Sequence, residues 1–563
     1  MATSIRLPRI VVRENGSEPG KVSRRDSAAS RGQTGQALEK NFAGDSISDP
    51  RLDEIIETRS LKGASVSIGR QGDELRYCIR PPEFDLPEGE RVVLEAALRN
   101  LPDCPDLDIS GLIADQKLAR ELVRNAAVSR IPRTSGMERS SAAEVVSRYA
   151  VGFGALELLL TDPLIEDVIV SSPSSSNSVC VVTRLHKERA GSVYCRTNLR
   201  VSEERLSNLV SKASIFHGGE LSAKKPILEL EIPHLGTRLS AAAEPASHHG
   251  LCLAFRRRSE QLWTLPRLIA EDSLSWTAAG FLSLCCEARA SIVMAGGRGS
   301  GKTTLLASLL PELPDVGRTL VMEDTEELPT LQLQREGLSI QTLSLAGGID
   351  RASCVMRAAL RMGEGAIVVG EIRGDEARIL FESMRTGTAG SSVLGTIHAS
   401  DSRAVRDRIV FDMGLSEKSF DAIDLIVMTR QFKEPATGTS RRRVSEIGCV
   451  CPDVGEDRIA PLFGIDAQGN WVTSQSGIKK VGALGDRLAA HVGVPPDRIV
   501  QASRIRGFLK KVQAAEWQRT GDTKALSVRA TRAVNRLQID YSAPPAPNEL
   551  KRLCLSKIQE GAG

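Results

Sequence analysis

Residues Gly296, Gly297, Arg298, Gly299, Ser300, Gly301, Lys302 and Thr303, followed by Thr304, have the spacing GxxxxGK[ST]. Glycines let successive backbone N–H groups turn toward one phosphate, and a helix N-terminus behind them favours an anion. Lys302 adds a point charge for the β- and γ-phosphates, and Thr303 offers a hydroxyl to Mg²⁺. The run SIVMA before the loop predicts a strand, and TTLLASLL after it predicts a helix. That setting makes ATP and Mg²⁺ the expected cofactors. The loop alone does not say what the energy is used for.

Three further apolar strands end in polar groups. TLVMEDTEEL delivers Glu323 and Asp324, with Glu327 just beyond. AIVVGEIRGDEA ends in Gly370 and Glu371, with Arg373 next, and SVLGTIHAS ends in His398. In an open α/β sheet, ligands sit at the C-terminal ends of the strands, so these groups are expected to share one site. In P-loop NTPases an Asp at the end of such a strand holds the metal. Here that place is taken by Gly370, and the first acid is Glu371. By itself this fits a broken metal site, an accidental apolar run or the mark of a particular NTPase class.

The phosphate loop, VMEDTEEL, VVGEIRGDEA and GTIH occur in the order and spacing of the secretion-traffic ATPases. The resemblance is to the motors of type II secretion, type IV pili, archaella and type IV secretion. In that family these are the Walker A loop, the Asp box, an atypical Gly-Glu Walker B and the His box. Upstream, LLLTDPLIEDVIV, IPHLGTRLSA and LAFRRR resemble the family's N-terminal-domain segments, so the likeness covers about residues 140–450. It is strongest to the GspE-like ATPases of archaeal pilus and secretion systems. Glu364-Gly365 replaces the usual Pro-Asp, Thr388 stands for the first His of the bacterial His box, and the bacterial tetracysteine zinc module is missing.

The resemblance implies roles residue by residue. Lys302 and the loop amides would bind phosphates, and Thr303 would ligate Mg²⁺. Glu371 would hold the metal, directly or through water, or polarise the attacking water. Glu327 matches the Asp-box general base, with Glu323 the second candidate, and His398 would sense the γ-phosphate. Arg238, Arg256 and Arg257 lie in segments that bring the N-terminal domain over the nucleotide, and Arg373 is a further arginine candidate. The implied machine is a homo-hexamer at the cytoplasmic side of a membrane. It would act on a polytopic platform protein, and through it on pilin-like or secreted substrates.

The pattern also predicts the elements that must position these groups. Buried strands alternating with helices predict a parallel α/β sheet, and the resemblance makes it a RecA-like P-loop core. At roughly 100–200 residues per domain, a chain of 563 residues needs several units. The expected division is a disordered segment 1–50, a small α+β module 51–139, an α+β N-terminal domain 140–265, the ATPase domain 266–470 and a basic helical tail 471–563.

Composition excludes several classes. With 41% hydrophobic and 26% charged residues the chain is an ordinary globular protein, and a net charge of +4 does not by itself point to nucleic acid. No run approaches the roughly 20 apolar residues of a membrane span, and the N-terminus has no apolar signal-peptide region. Eleven Cys, without paired CxxC motifs, suggest reduced cytosolic thiols, and Cys449 and Cys451 read as ordinary strand residues. Two alternatives stay open. One is a nucleic-acid-translocating RecA-type ATPase, drawn from the cations Arg504, Arg506, Lys510, Lys511, Arg529, Arg532 and Arg536. The other is a small-molecule P-loop kinase.

Overall fold

The computed structural model describes residues 40–101, 115–131, 137–185, 191–258, 262–315, 317–345, 349–362, 365–386, 392–433, 440–466, 468–478, 481–541 and 543–562. The described residues fall into two compact units, one within 40–185 and 192–258, the other within 262–562 together with residue 191.

The first unit is α+β. Its larger sheet runs, strand by neighbouring strand, Glu54–Leu61, Ala64–Gln71, Glu74–Arg80, Ser192–Thr197, Cys180–Arg184, Ile165–Val170, Cys252–Arg257, Thr237–Ala242 and Ile227–Ile232. Thr237–Ala242 alternates buried and half-buried residues, as a strand with one face on a core must.

The N-terminal expectation needs correction. The disordered segment was drawn to residue 50, yet Lys40–Phe42 and Asp45–Ile47 pair as strands, the latter also with Leu199–Val201. Phe42 is fully buried, its ring 4.9 Å from that of Tyr149, and Asp45 accepts the Ala155 amide at 3.0 Å. A few anchoring residues leave no periodic pattern, and their partners lie more than a hundred residues away. The rest of that expectation, residues 1–39, lies outside the described residues, as do Glu364 and Thr388.

The second unit carries the nucleotide motifs. We number its strands β1 (Ile292–Gly296), β2 (Thr319–Glu323), β3 (Ile340–Ser344), β4 (Ala366–Val369), β5 (Ser392–Ile397), β6 (Leu425–Lys433), β7 (Ser440–Val450), β8 (Ile459–Ile465) and β9 (Trp471–Thr473). Their spatial order is β3-β2-β4-β5-β1-β6-β7-β8-β9. The first six are mutually parallel and the last three join antiparallel. This is a RecA-like core. Every residue of β1, β4 and β5 is buried, as expected of parallel strands covered on both faces.

The tail is helical, at Gly482–Val492, Ile499–Thr520, Val528–Asn535 and Pro547–Ala562. It shares one apolar core with the sheet's helices: Ile499, Ala502 and Leu509 pack in the same cluster as Phe281 and Leu284. The helix Ile499–Thr520 crosses Trp276–Glu287, the helix before β1, at two glycines. A Cβ at Gly280 would lie 2.0 Å from the Ser503 carbonyl oxygen, and one at Gly507 2.0 Å from that of Trp276. Beside this seam the fully buried Lys510 donates to both oxygens of Glu312 at 2.7 Å and to Asn535 at 3.0 Å. Among the described residues no helix is long and apolar enough to cross a membrane.

The seam yields a stability test. Gly507→Val forces side-chain atoms into backbone and should destabilise the second unit by about 3 kcal/mol. Urea unfolding of Gly507→Val against Gly89→Ala, at a site where a Cβ meets nothing within 4 Å, measures it.

Candidate nucleotide site

The loop between β1 and the helix Lys302–Leu309 depends on glycine in three left-handed positions, with φ of +156° at Gly296, +73° at Gly299 and +96° at Gly301. At Gly296 space is also needed, since a Cβ would come within 2.3 Å of the Thr429 carbonyl oxygen and 2.6 Å of Ser300 Oγ. Lys302 is buried, and its ammonium donates to the carbonyls of Gly296 at 3.0 Å and Gly297 at 2.8 Å. Arg298 is exposed at the loop's crest, while Thr303 and Thr304 are half-buried in the first helical turn.

The strands beside β1 bring their terminal residues to this loop. His398, after β5, places Nδ1 3.4 Å from Lys302 Nζ and Nε2 3.4 Å from Glu371 Oε1, after β4. Burial first, and the Lys302 charge second, push the His398 pKa below its ordinary value against the pull of Glu371, and so favour the neutral ring. An Nδ1 that faces an ammonium must accept, so the ring proton sits on Nε2, toward Glu371. Arg373 lies 3.8 Å from Glu371 and pairs with Asp324.

β2 and the turn after it contribute two glutamates in different surroundings. Glu323 is 4% exposed, and its Oε1 accepts the amides of Glu327 and Leu328, both at 3.0 Å. Burial raises its pKa to about 7, opposed by those two amide bonds and assisted by the charges of Glu327 and Glu326. Glu327 is exposed and accepts from the Thr303 hydroxyl at 3.0 Å.

The residues present fit a nucleotide with Mg²⁺. The loop is a glycine cradle with a lysine at its centre, and Thr303 and Glu371 are hard oxygen donors of the kind Mg²⁺ takes. Among the described residues no cluster of three or more His, Cys, Asp or Glu could hold a metal. A Mg²⁺ site with one or two protein oxygens completed by phosphates needs no such cluster.

Two residues bracing the loop were not picked out from the sequence. Thr429, on β6, bonds Ser300 Oγ at 2.8 Å and donates to the Ala295 carbonyl at 3.2 Å. Arg442, on β7, donates to the Gly299 carbonyl at 2.9 Å. The polar Thr429 in the β6 strand neighbouring β1 was a usable signal; Arg442, within an arginine run, had none.

The three upstream arginines belong to the first unit. Arg238 and Arg256 stand opposite each other on adjacent antiparallel strands and so share a face. Arg238 pairs with Glu229 at 2.7 Å, and Arg256 is exposed. Arg257 points to the other face and donates to the carbonyls of Asp162 and Ile165, which ties its guanidinium to the fold of its own unit.

Most of the tail's cations are engaged inside the second unit. Arg506 bonds Glu287 and the Tyr541 hydroxyl, Lys510 bonds Glu312, and Arg532 and Arg536 both reach Asp315. Arg529 lies 3.5 Å from Glu336, Lys511 sits over the Trp276 ring, and Arg504 is exposed.

A parallel sheet in this order, with a glycine-lysine loop after its central strand, defines a P-loop nucleotide-binding protein of the RecA-like kind. The chain belongs to the type II/IV secretion system protein family, whose pattern matches residues 150–460, more than half of its length. A Mycobacterium tuberculosis (strain ATCC 25618 / H37Rv) protein provisionally named for conjugal transfer is 29% identical over 272 residues, 47% of this chain and 74% of the relative. The type IV secretion system protein PtlH of Bordetella pertussis (strain Tohama I) is 27% identical over 231 residues, 37% of this chain and 67% of the relative. Among solved structures, the VirB11 ATPase of the Brucella suis type IV secretion system is 23% identical and covers 52% of this chain and 91% of its own, with a TM-score of 0.25.

The state of Glu323 has a measurable consequence. Its folded-state pKa, about 7, lies above the ordinary 4.5. Its proton therefore favours the folded state fully below pH 4.5, and that contribution is lost as pH rises to about 7. Wild type should lose up to a few kcal/mol relative to Glu323→Gln across this window. Urea unfolding of both proteins from pH 4.5 to 7.5 reads the difference, and parallel curves would refute it.

Proposed function

We propose that this chain is a Mg²⁺-dependent ATPase that works as a homo-hexameric motor at the cytoplasmic side of a membrane. It would drive a polytopic platform protein to assemble pilus-like filaments or to secrete. The observation that carries this reading is the convergence of Lys302, Thr303, Glu327, Glu371 and His398 through hydrogen-bond and near-contact distances. Membership of the secretion family supplies the context.

In this reading Lys302 and the loop amides bind the β- and γ-phosphates. Mg²⁺, when bound with the nucleotide, neutralises charge on the transferring phosphoryl group, with Thr303 and Glu371 as its protein ligands. Glu327, exposed beside Thr303, orients the attacking water; in so loose a transition state, placement matters more than basicity. His398 links the phosphate-binding lysine to Glu371, which lets a change at the γ-phosphate be felt at the metal's acid. Arg256, which is exposed, and Arg238, whose partner Glu229 is itself exposed, are the arginines we assign to charge stabilisation, ahead of Arg257, which is tied to backbone carbonyls of its own unit, and Arg373. Pairing of the tail's cations is why we prefer a protein platform to nucleic acid as the partner. A small-molecule kinase is disfavoured by the family context.

The test is Mg²⁺-dependent release of free phosphate from ATP without any acceptor. Lys302→Ala should lower turnover at least about a hundredfold and weaken ATP binding, whereas Glu371→Gln should bind ATP normally and turn over about a hundredfold more slowly. Stimulation by the platform's cytoplasmic domain is expected. Stimulation by DNA instead, or normal turnover in Glu371→Gln, would overturn the assignment.

A further inference from the structure

Gly370 is the residue that leaves the β4 strand without its usual acid. Its backbone does not demand glycine, for it is not among the positive-φ positions of the described chain. Space does. A Cβ at Gly370 would lie 2.8 Å from Glu323 Cγ, 3.5 Å from Glu323 Cβ and 3.3 Å from Glu323 Oε1. The two residues meet because β2 and β4 are parallel neighbours, paired at Met322 and Val369, and the Gly370 amide donates to the Met322 carbonyl at 2.8 Å. Glu323 therefore occupies the volume that a side chain at 370 would need.

The same carboxylate shapes the turn after β2. Glu323 Oε1 takes the amides of Glu327 and Leu328, closing the turn that carries Glu327 to the Thr303 hydroxyl. A side chain whose oxygen is committed to two amides, and which is 4% exposed, is poorly placed to take a proton from water. We propose that Glu323 is the positioning residue of the site. From the neighbouring strand it fills the place of the missing side chain at 370 and holds the turn on which Glu327 rides. Gly370 and Glu323 are then one unit: the glycine is the room the glutamate needs. This deepens the ATPase reading, and only its kinetic consequence rests on that reading.

Hydrogen exchange, read by mass spectrometry on peptides spanning Glu326 to Leu328 without nucleotide, tests the turn directly. Phosphate release tests its consequence. Glu323→Ala and Gly370→Ala should each speed exchange at the Glu327 and Leu328 amides at least about tenfold. Each should also lower kcat at least about tenfold, with KM for ATP changed less than about threefold. Glu323→Gln keeps an acceptor oxygen and should recover most of both losses. Unchanged exchange in Glu323→Ala, or a Glu323→Gln protein that keeps its protection yet loses as much turnover as Glu323→Ala, overturns the proposal. A wild-type protein that releases no phosphate would refute the ATPase reading, and the exchange comparison would still decide this one.

Discussion

A buried ammonium must be solvated by something. Taking such a charge out of water costs several kcal/mol unless oriented dipoles replace the solvent. Around Lys302 those dipoles are two carbonyls of its own loop and the lone pair of a neutral imidazole. The loop presents them only because three glycines accept left-handed backbone, and Gly296 sits flush against Thr429 of the next strand. The lysine, the loop, β6 and the histidine after β5 are thus one electrostatic arrangement. The neutrality of His398, and with it the direction of its proton toward Glu371, follows partly from that same cation.

What was legible in the sequence were the ends of apolar strands. Glu323, Glu371 and His398 could be placed at one edge because parallel strands buried on both faces leave continuous apolar runs, and the first polar residue after each run marks the edge. The register between strands leaves no such trace. That Glu323 would lie against Gly370, and that Glu327 rather than Glu323 would be the exposed acid beside Thr303, depends on which residues of β2 and β4 stand side by side. The loop's bracing by Arg442 was hidden for the same reason: an arginine run looks alike whether it meets water or a carbonyl.

Long-range partners explain the other departures. Phe42 and Asp45 carry no local pattern, yet one is buried against Tyr149 and the other caps a helix at Ala155. The tail reads as a basic helical region because Arg506 and Lys510 count only as charges in one dimension. In three dimensions they neutralise Glu287 and Glu312, and half of the helix that carries them is buried.

The crossing of Gly280 and Gly507 has a mechanical meaning. Two helices separated by side chains can slide, since rotamers absorb a displacement. Two helices in contact through bare backbone have no such compliance. The helix Trp276–Glu287 leads into the strand that carries the phosphate loop, and the tail helix is joined to it without a cushion. The family's matched region ends at residue 460, but the stiff body that the phosphate loop belongs to does not. For the motor we propose, that fixes how much of the chain must be carried along as one rigid load.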